Sequence, residues 1–189
     1  MLILVKKRVG YEKRLIRKAI GSISMDFISS NEAISMISES SKYTHSILVS
    51  RIMSSLAANF LEEKEEWMIT GLLHDIDYDL IDGDMSRHGL EAASILEGKV
   101  SEDVLHAIMS HDHRTGIEPA NLLDKSLKFA DAFAVLIEDQ SILSVPENDK
   151  VLRLLGLESV RKPWIREIIE SYCTEYDLKP IQLLREVLA

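Results

Sequence analysis

The spacing of apolar residues is the feature that most constrains how this chain can fold. They recur three and four positions apart in most segments, the pattern of amphipathic helices. Beyond Leu2–Val5, no segment alternates apolar and polar residues as a half-buried strand does. With only four Pro and eight Gly in 189 residues, the sequence predicts an all-α fold. The main predicted helices are Asn31–Ser38 with Asn31 as its cap, Tyr43–Leu61, Glu63–Asp75, Ser86–Leu96, Glu102–His111 with Ser101 as its cap, and Ala120–Glu138.

Charge is unevenly distributed along the chain. Twenty-two basic and 31 acidic residues give a net charge of −9, which argues against nucleic acid or an anionic membrane as a partner. Residues 1–20, with a predicted helix over Tyr11–Ile20, carry seven basic residues against Glu12, a local charge of +6. The apolar run Met1–Val5 is too short to span a membrane and precedes its basic residues, the reverse of a secretory signal. We therefore expect a cytoplasmic protein.

Several potential metal ligands fall on the apolar faces of the predicted helices. The single cysteine, Cys173, excludes an internal disulfide and a cysteine-based zinc site. All six histidines lie between His45 and His113. Helical spacing directs three imidazoles and two carboxylates toward the core from four helices, and a buried carboxylate is costly unless it is paired or coordinated. This set indicates a divalent-metal site inside a helical bundle: His45, His74, Asp75, His111 and Asp131.

The order of these residues resembles the HD superfamily of metal-dependent phosphohydrolases. That family has a His, an adjacent His-Asp pair and a distant Asp, and its dinuclear subgroup has two further histidines before the final Asp. The similarity covers about residues 31–138. It rests on Thr44-His45-Ser46, Leu72-Leu73-His74-Asp75, Ser86-Arg87-His88-Gly89, His111 and Phe129-Ala130-Asp131-Ala132.

The resemblance implies an HD-type helical bundle with two divalent ions, drawn from Fe, Mn, Ni, Mg and Zn, in its core. His45, His74, Asp75 and Asp131 would bind the first ion, and Asp75 would bridge to a second ion held by His88 and His111. The chain departs from many relatives in having His74-Asp75-Ile76-Asp77 for His-Asp-x-Gly, and His111-Asp112-His113 for two consecutive histidines. The role of Asp77 is left open between support of the metal ligands and transfer of a proton.

The function implied is hydrolysis of a phosphate ester of a small molecule or nucleotide by a metal-activated water. We expect Asp75, Asp77 and Lys128 to be catalytic. Lys128 lies one turn before Asp131 and would act as a cation, with Arg51 and Arg87 as other candidates. The net charge of −9 does not oppose this function, because two divalent ions would make the pocket itself cationic.

Three alternatives to the predicted hydrolase function are left open. The same ligand set serves dinuclear-iron oxygenases of the superfamily, a nucleotide-sensing module without turnover is a second alternative, and histidines with a purely structural role are a third.

We expect a basic arm over residues 1–30, the metal-binding helical core over 31–140, and C-terminal helices over 141–189 that pack on the core. Homo-oligomerisation is left open.

Overall fold

The computed structural model describes residues 27–139 and 162–188. These two ranges form eight α-helices, a short 3₁₀ turn at His113–Thr115 and no β-strand, which confirms the predicted all-α class. The predicted helix over Tyr11–Ile20 and most of the predicted basic arm lie outside the described residues. The helices are α1 (Ser30–Met36), α2 (Tyr43–Phe60), α3 (Lys64–Leu73), α4 (Leu90–Leu96), α5 (Glu102–Ser110), α6 (Leu122–Asp139), α7 (Pro163–Tyr176) and α8 (Pro180–Leu188).

The helix starts show where local sequence decides the boundary. Ser101 caps α5 as predicted, because its hydroxyl accepts a hydrogen bond from the Val104 N–H. The predicted cap Asn31 of α1 is wrong, since Ser29 takes that position and forms a reciprocal capping box with Glu32. The helix predicted from residue 86 begins only at Leu90, because Gly89 has φ of +80° and cannot be part of a right-handed helix.

The long helix α6 lies at the centre of the bundle. It packs against α2, α3, α5 and α7, while α8 packs against α2. Phe129 and Phe133 of α6 are fully buried, and the Phe129 ring stacks on Tyr172 of α7 with centroids 4.4 Å apart. The buried face of α6 therefore fixes the helices that surround it, and the candidate ligands lie among α2 to α6.

Helices α2 and α3 approach closely at Gly71. A Cβ atom at this position would lie 2.7 Å from the Ser50 Cα and 2.8 Å from the Ser50 N, both backbone atoms of α2. Backbone atoms cannot rotate away as a side chain can, so only glycine fits this contact. The approach matters for the site, because His45 belongs to α2 and His74 follows α3 directly.

Gly71→Ala is expected to destabilise the protein by about 1–3 kcal/mol, although alanine is the better helix former by about 1 kcal/mol. The added methyl group forces α2 and α3 apart, and this overpacking outweighs the gain in propensity. Urea unfolding of the variant beside the wild type measures the difference. A variant as stable as the wild type, or more stable, would contradict the close helix contact.

Candidate metal centre

The six predicted metal ligands come together from five separate parts of the bundle. His45 lies in the first turn of α2, His74 and Asp75 follow α3, His88 precedes α4, His111 follows α5, and Asp131 lies on α6. The four histidines and Asp75 are buried. Asp131 is the most accessible of the six, with 32 % of its side chain exposed. The cluster thus has a buried side and a side that faces solvent.

Asp75 links two groups of potential ligands. Its carboxylate belongs both to a group with His45 and His74 and to a group with His88 and His111, and within each group the ligand atoms lie within 4.8 Å of one another. The Asp75 Oδ1 atom is 3.1 Å from the His88 Nε2 and 3.8 Å from the His111 Nε2. Asp131 joins the cluster through its Oδ1, 3.0 Å from the His45 Nε2. Asp75 is therefore the one carboxylate of the cluster placed to serve two ions.

Two of the histidines are oriented by backbone carbonyls. The His74 Nδ1 donates to the Gly71 oxygen at 2.8 Å, and the His111 Nδ1 donates to the Ile108 oxygen at 2.6 Å. A carbonyl oxygen can only accept, so in both rings Nδ1 carries the proton and Nε2 offers a lone pair to the cluster. The two carbonyls thereby prepare His74 and His111 as neutral ligands.

The other two histidines are oriented by carboxylates. The His88 Nδ1 lies 2.9 Å from the Asp77 Oδ1, and the His45 Nδ1 lies 3.0 Å from the Glu138 Oε2. Histidine ligands of metals commonly donate their other ring N–H to a carboxylate or a carbonyl. All four Nε2 atoms are thus directed into the cluster.

The His74 Nε2 atom provides the fit test for a cation. It is fully buried and has no hydrogen-bond partner within the described residues, yet it lies 3.3 Å from the Asp75 Oδ1. Burial lowers the pKa of His74 to about 4, so near neutral pH this nitrogen presents a lone pair to a carboxylate oxygen. Two facing acceptors repel each other, and a buried unsatisfied acceptor costs about 1–3 kcal/mol. A shared cation resolves this conflict, so the residues fit a metal ion.

Asp77 is fully buried beside the cluster and uses both oxygens within the chain. Its Oδ2 accepts from the Gly89 N–H at 2.7 Å and from the Ala92 N–H at 3.1 Å, while its Oδ1 accepts from His88. Burial alone would raise the pKa of Asp77, but the His88 hydrogen bond and these amides hold it below its usual value. Asp77 is therefore an ionised anchor for both the His88 ring and the start of α4.

Gly89 allows the His88 segment to approach α5. A Cβ atom there would lie 2.8 Å from the Ile108 oxygen, and the backbone has φ of +80°, which side chains rarely adopt. The Nε2 atoms of His88 and His111 are consequently only 3.1 Å apart. The segment between α3 and α4 thus depends on one glycine to complete the second ligand group.

Without a metal ion, His45 and His88 hold protons whose positive charge stabilises the carboxylates of the cluster. Burial alone would lower the pKa of His45, but hydrogen bonds to Asp131 and Glu138 raise it to about 10. Burial alone would also lower the pKa of His88, but the hydrogen bonds that its ring donates to Asp75 and Asp77 raise it to about 9. Burial also raises the pKa of Asp75, but the hydrogen bond and the positive charge of the protonated His88 hold it well below its usual range.

Metal uptake at pH 7.5 is expected to release about two protons, because His45 and His88 must lose theirs to coordinate. Apparent affinity should therefore rise with pH until the region of pKa 9 to 10 is passed. Calorimetric titration of metal-stripped protein with Mn²⁺ in buffers of different ionisation enthalpy counts the protons. A count of zero at pH 7.5 would contradict coordination by these two rings.

Four other residues were considered from the sequence as contacts for substrate. Lys128 is half-buried, and its catalytic role stays a prediction. Arg87 pairs with Glu91 at 2.7 Å and Arg51 is exposed. His113 is 76 % exposed and faces Asp112.

Two residues of the site were not predicted, and both have a recognisable spacing. Glu138 lies seven positions after Asp131, two turns along the same face of α6, and contacts His45. Lys42 lies three positions before His45, and its Nζ is 3.7 Å from the Asp75 Oδ2. This spacing places each of them near a ligand, but it does not distinguish them in the sequence from ordinary solvated charges.

This combination defines a class of protein: an all-α bundle with a buried histidine and aspartate cluster fit for divalent metal. Residues 43–136 match the family model of the HD domain. The chain belongs to the HD-domain superfamily, a superfamily of metal-dependent hydrolases. No curated protein and no solved structure matches it. None of the helices in the described ranges has the length and hydrophobicity needed to cross a membrane.

Proposed function

We propose that this protein is a metal-dependent phosphohydrolase that hydrolyses a phosphate ester of a small molecule or nucleotide. The observation that carries the proposal is the buried His74 Nε2 lone pair facing the Asp75 carboxylate, beside three further Nε2 atoms. Neutral imidazoles and carboxylates form a ligand set for divalent ions that activate water. A site with at least two cations would attract a phosphoryl group although the chain is acidic overall.

The residues of the cluster form the ligand sets of two metal ions in this mechanism. His45, His74, Asp75 and Asp131 would hold one ion, and His88 and His111 would hold a second that shares Asp75. When bound, the ions would activate a water molecule and offset charge on the phosphoryl group. The burial of the histidines excludes bulk water from the inner side, so these ligands keep fixed positions.

The accessible side of the cluster supports a proposed entrance for substrate. Asp131 and Lys42 have 32 % and 29 % of their side chains exposed, whereas His74 has none. Substrate would therefore reach the site between the start of α2 and the middle of α6. Lys128, on α6, remains a proposed cation at this entrance. Asp77 lies on the inner side with both oxygens bonded, which supports a positioning role and not a direct contact with substrate.

A panel of phosphate esters tests the proposal. Untagged protein is incubated with phosphomonoesters, nucleotides, dinucleoside polyphosphates and cyclic nucleotides in the presence of Mn²⁺, Mg²⁺, Ni²⁺, Fe²⁺ or Zn²⁺. The expected result is release of phosphate or a phosphomonoester that requires metal and stops when a chelator is added.

The alternatives predict other outcomes of the same panel. Two irons per chain with a visible absorption band, oxygen uptake and no phosphate release would favour a dinuclear-iron oxygenase. Tight nucleotide binding without turnover of any ester would favour a sensing module. Absence of metal after purification, with no activity restored by added metal, would favour a purely structural cluster.

A further inference from the structure

The Lys42 ammonium group lies at the open edge of the cluster and is held from two sides. Its Nζ is 3.7 Å from the Asp75 Oδ2 and 4.0 Å from the centroid of the Tyr78 ring. Tyr78 in turn meets the His88 ring edge-on, with centroids 6.0 Å apart. A cation over an aromatic face is attracted by the negative charge density of the ring. The ammonium is therefore fixed beside the carboxylate that both ligand groups share.

The donors of Lys42 are not used within the described residues. The distance to Asp75 exceeds that of a hydrogen bond, and no described residue accepts a hydrogen bond from the ammonium. An ammonium group has three N–H donors, and 29 % of this side chain faces solvent. These donors are thus available to a ligand that enters the cluster from outside.

The charge of the site indicates what kind of ligand the ammonium would bind. Two divalent ions exceed the charge of Asp75 and Asp131, so a further cation at this edge adds to a positive field. Such a cation is stabilised once an anion lies between it and the ions. The phosphoryl group of a phosphate ester supplies anionic oxygens, which ammonium groups bind through strong charge-assisted hydrogen bonds.

Two arginines near the site are held by carboxylates outside the cluster. Arg114 donates hydrogen bonds to the Asp112 carboxylate. These bonds, together with the electrostatic effects of Tyr78 and Asp131, raise the pKa of its guanidinium group. Arg87 is bound by Glu91. Among the described residues, Lys42 is the lysine or arginine with an ion-pair contact to Asp75.

We propose that Lys42 is a substrate-binding residue, whose ammonium group binds a non-bridging phosphoryl oxygen while the Tyr78 ring holds it over the site. This inference rests on the proposed phosphohydrolase function and adds a specificity residue to it. Lys42 immediately precedes the residues that match the HD domain, 43–136.

Lys42→Met tests the proposal, since methionine keeps much of the stem length and removes the charge. Metal-loaded wild type and variant are titrated with inorganic phosphate by calorimetry, and KM and kcat are measured with p-nitrophenyl phosphate. We expect phosphate binding to weaken and KM to rise by about tenfold to a hundredfold, the loss of one charge-assisted hydrogen bond. Lys42→Arg should recover part of the affinity.

Metal content separates this role from a structural one. If Lys42 binds substrate, Lys42→Met keeps the wild-type number of metals per chain, because no ligand is lost. If Lys42 serves only to hold Asp75, the variant loses metal and phosphate binding falls only in proportion, which would overturn the proposal. Lys125→Met is the matched control, because Lys125 pairs with Glu175 at the α6–α7 contact and should behave as wild type.

The outcomes also distinguish this inference from the proposed function. Wild-type turnover with unchanged phosphate affinity and KM in Lys42→Met overturns the role of Lys42 alone. Phosphate binding without turnover, weakened in Lys42→Met, keeps the role of Lys42 and overturns the hydrolase. Wild-type protein that neither binds phosphate nor hydrolyses any ester overturns both.

Discussion

Replacing Asp75 with Asn is expected to lower phosphate-ester hydrolysis by about a thousandfold or more. The substitution keeps the shape of the side chain but removes the charge that both ligand groups share. The amide would also place a donor or a neutral oxygen against Nε2 atoms that require a cation. Turnover is measured with whichever ester the panel identifies, and circular dichroism checks that the helices remain.

Asp82→Asn provides the matched control for this experiment. Asp82 is exposed in the segment between α3 and α4 and has φ of +50°, a conformation that asparagine accepts readily. Its loss of charge should leave turnover within about twofold of wild type, since surface charges are largely screened. Activity in Asp75→Asn equal to that of Asp82→Asn would refute the shared ligand.

Asp77→Asn is expected to weaken metal binding by about tenfold to a hundredfold without unfolding the protein. The Asn oxygen can still accept from the Gly89 and Ala92 amides, so its NH₂ group would face the His88 Nδ1. That nitrogen must then accept instead of donate, which moves the ring proton to Nε2 and removes the lone pair from the cluster. Metal titration of stripped protein gives the affinity.

Asp79→Asn is the control for the positioning role of Asp77. Asp79 is a neighbouring acid whose carboxylate accepts hydrogen bonds from Ser40 and Ser41 at the surface, and its variant should bind metal as the wild type does. A direct catalytic role of Asp77 makes a different prediction, namely a lower kcat with unchanged metal affinity. That result would contradict the positioning role.

The inward-facing ligands could be predicted because they share the periodicity of the core. His45 continues the buried stripe of Val49, Ile52 and Leu56, and His111 continues that of Val104 and Ile108. A residue on such a stripe becomes buried once the helix packs, whatever its neighbours along the chain. The positions of these ligands therefore follow from local sequence, and their convergence follows from the bundle.

Other parts of the site depend on contacts that no periodicity describes. His88 precedes α4 in a turn that Asp77 and Gly89 shape together, so only the resemblance to HD proteins pointed to it. Lys42 and Glu138 have partly exposed side chains. In sequence they look like ordinary solvated charges, because only the tertiary fold brings their tips to Asp75 and His45.

Metal content is the most direct measurement of the central claim that Asp75 joins two ligand groups into one dinuclear centre. Untagged wild type and Asp75→Asn are purified in parallel, reconstituted with Mn²⁺, passed through a desalting column and analysed by elemental mass spectrometry. The shared carboxylate predicts about two ions per chain in the wild type and one or none in the variant. Equal metal content in the two proteins, or no metal in either, would contradict it.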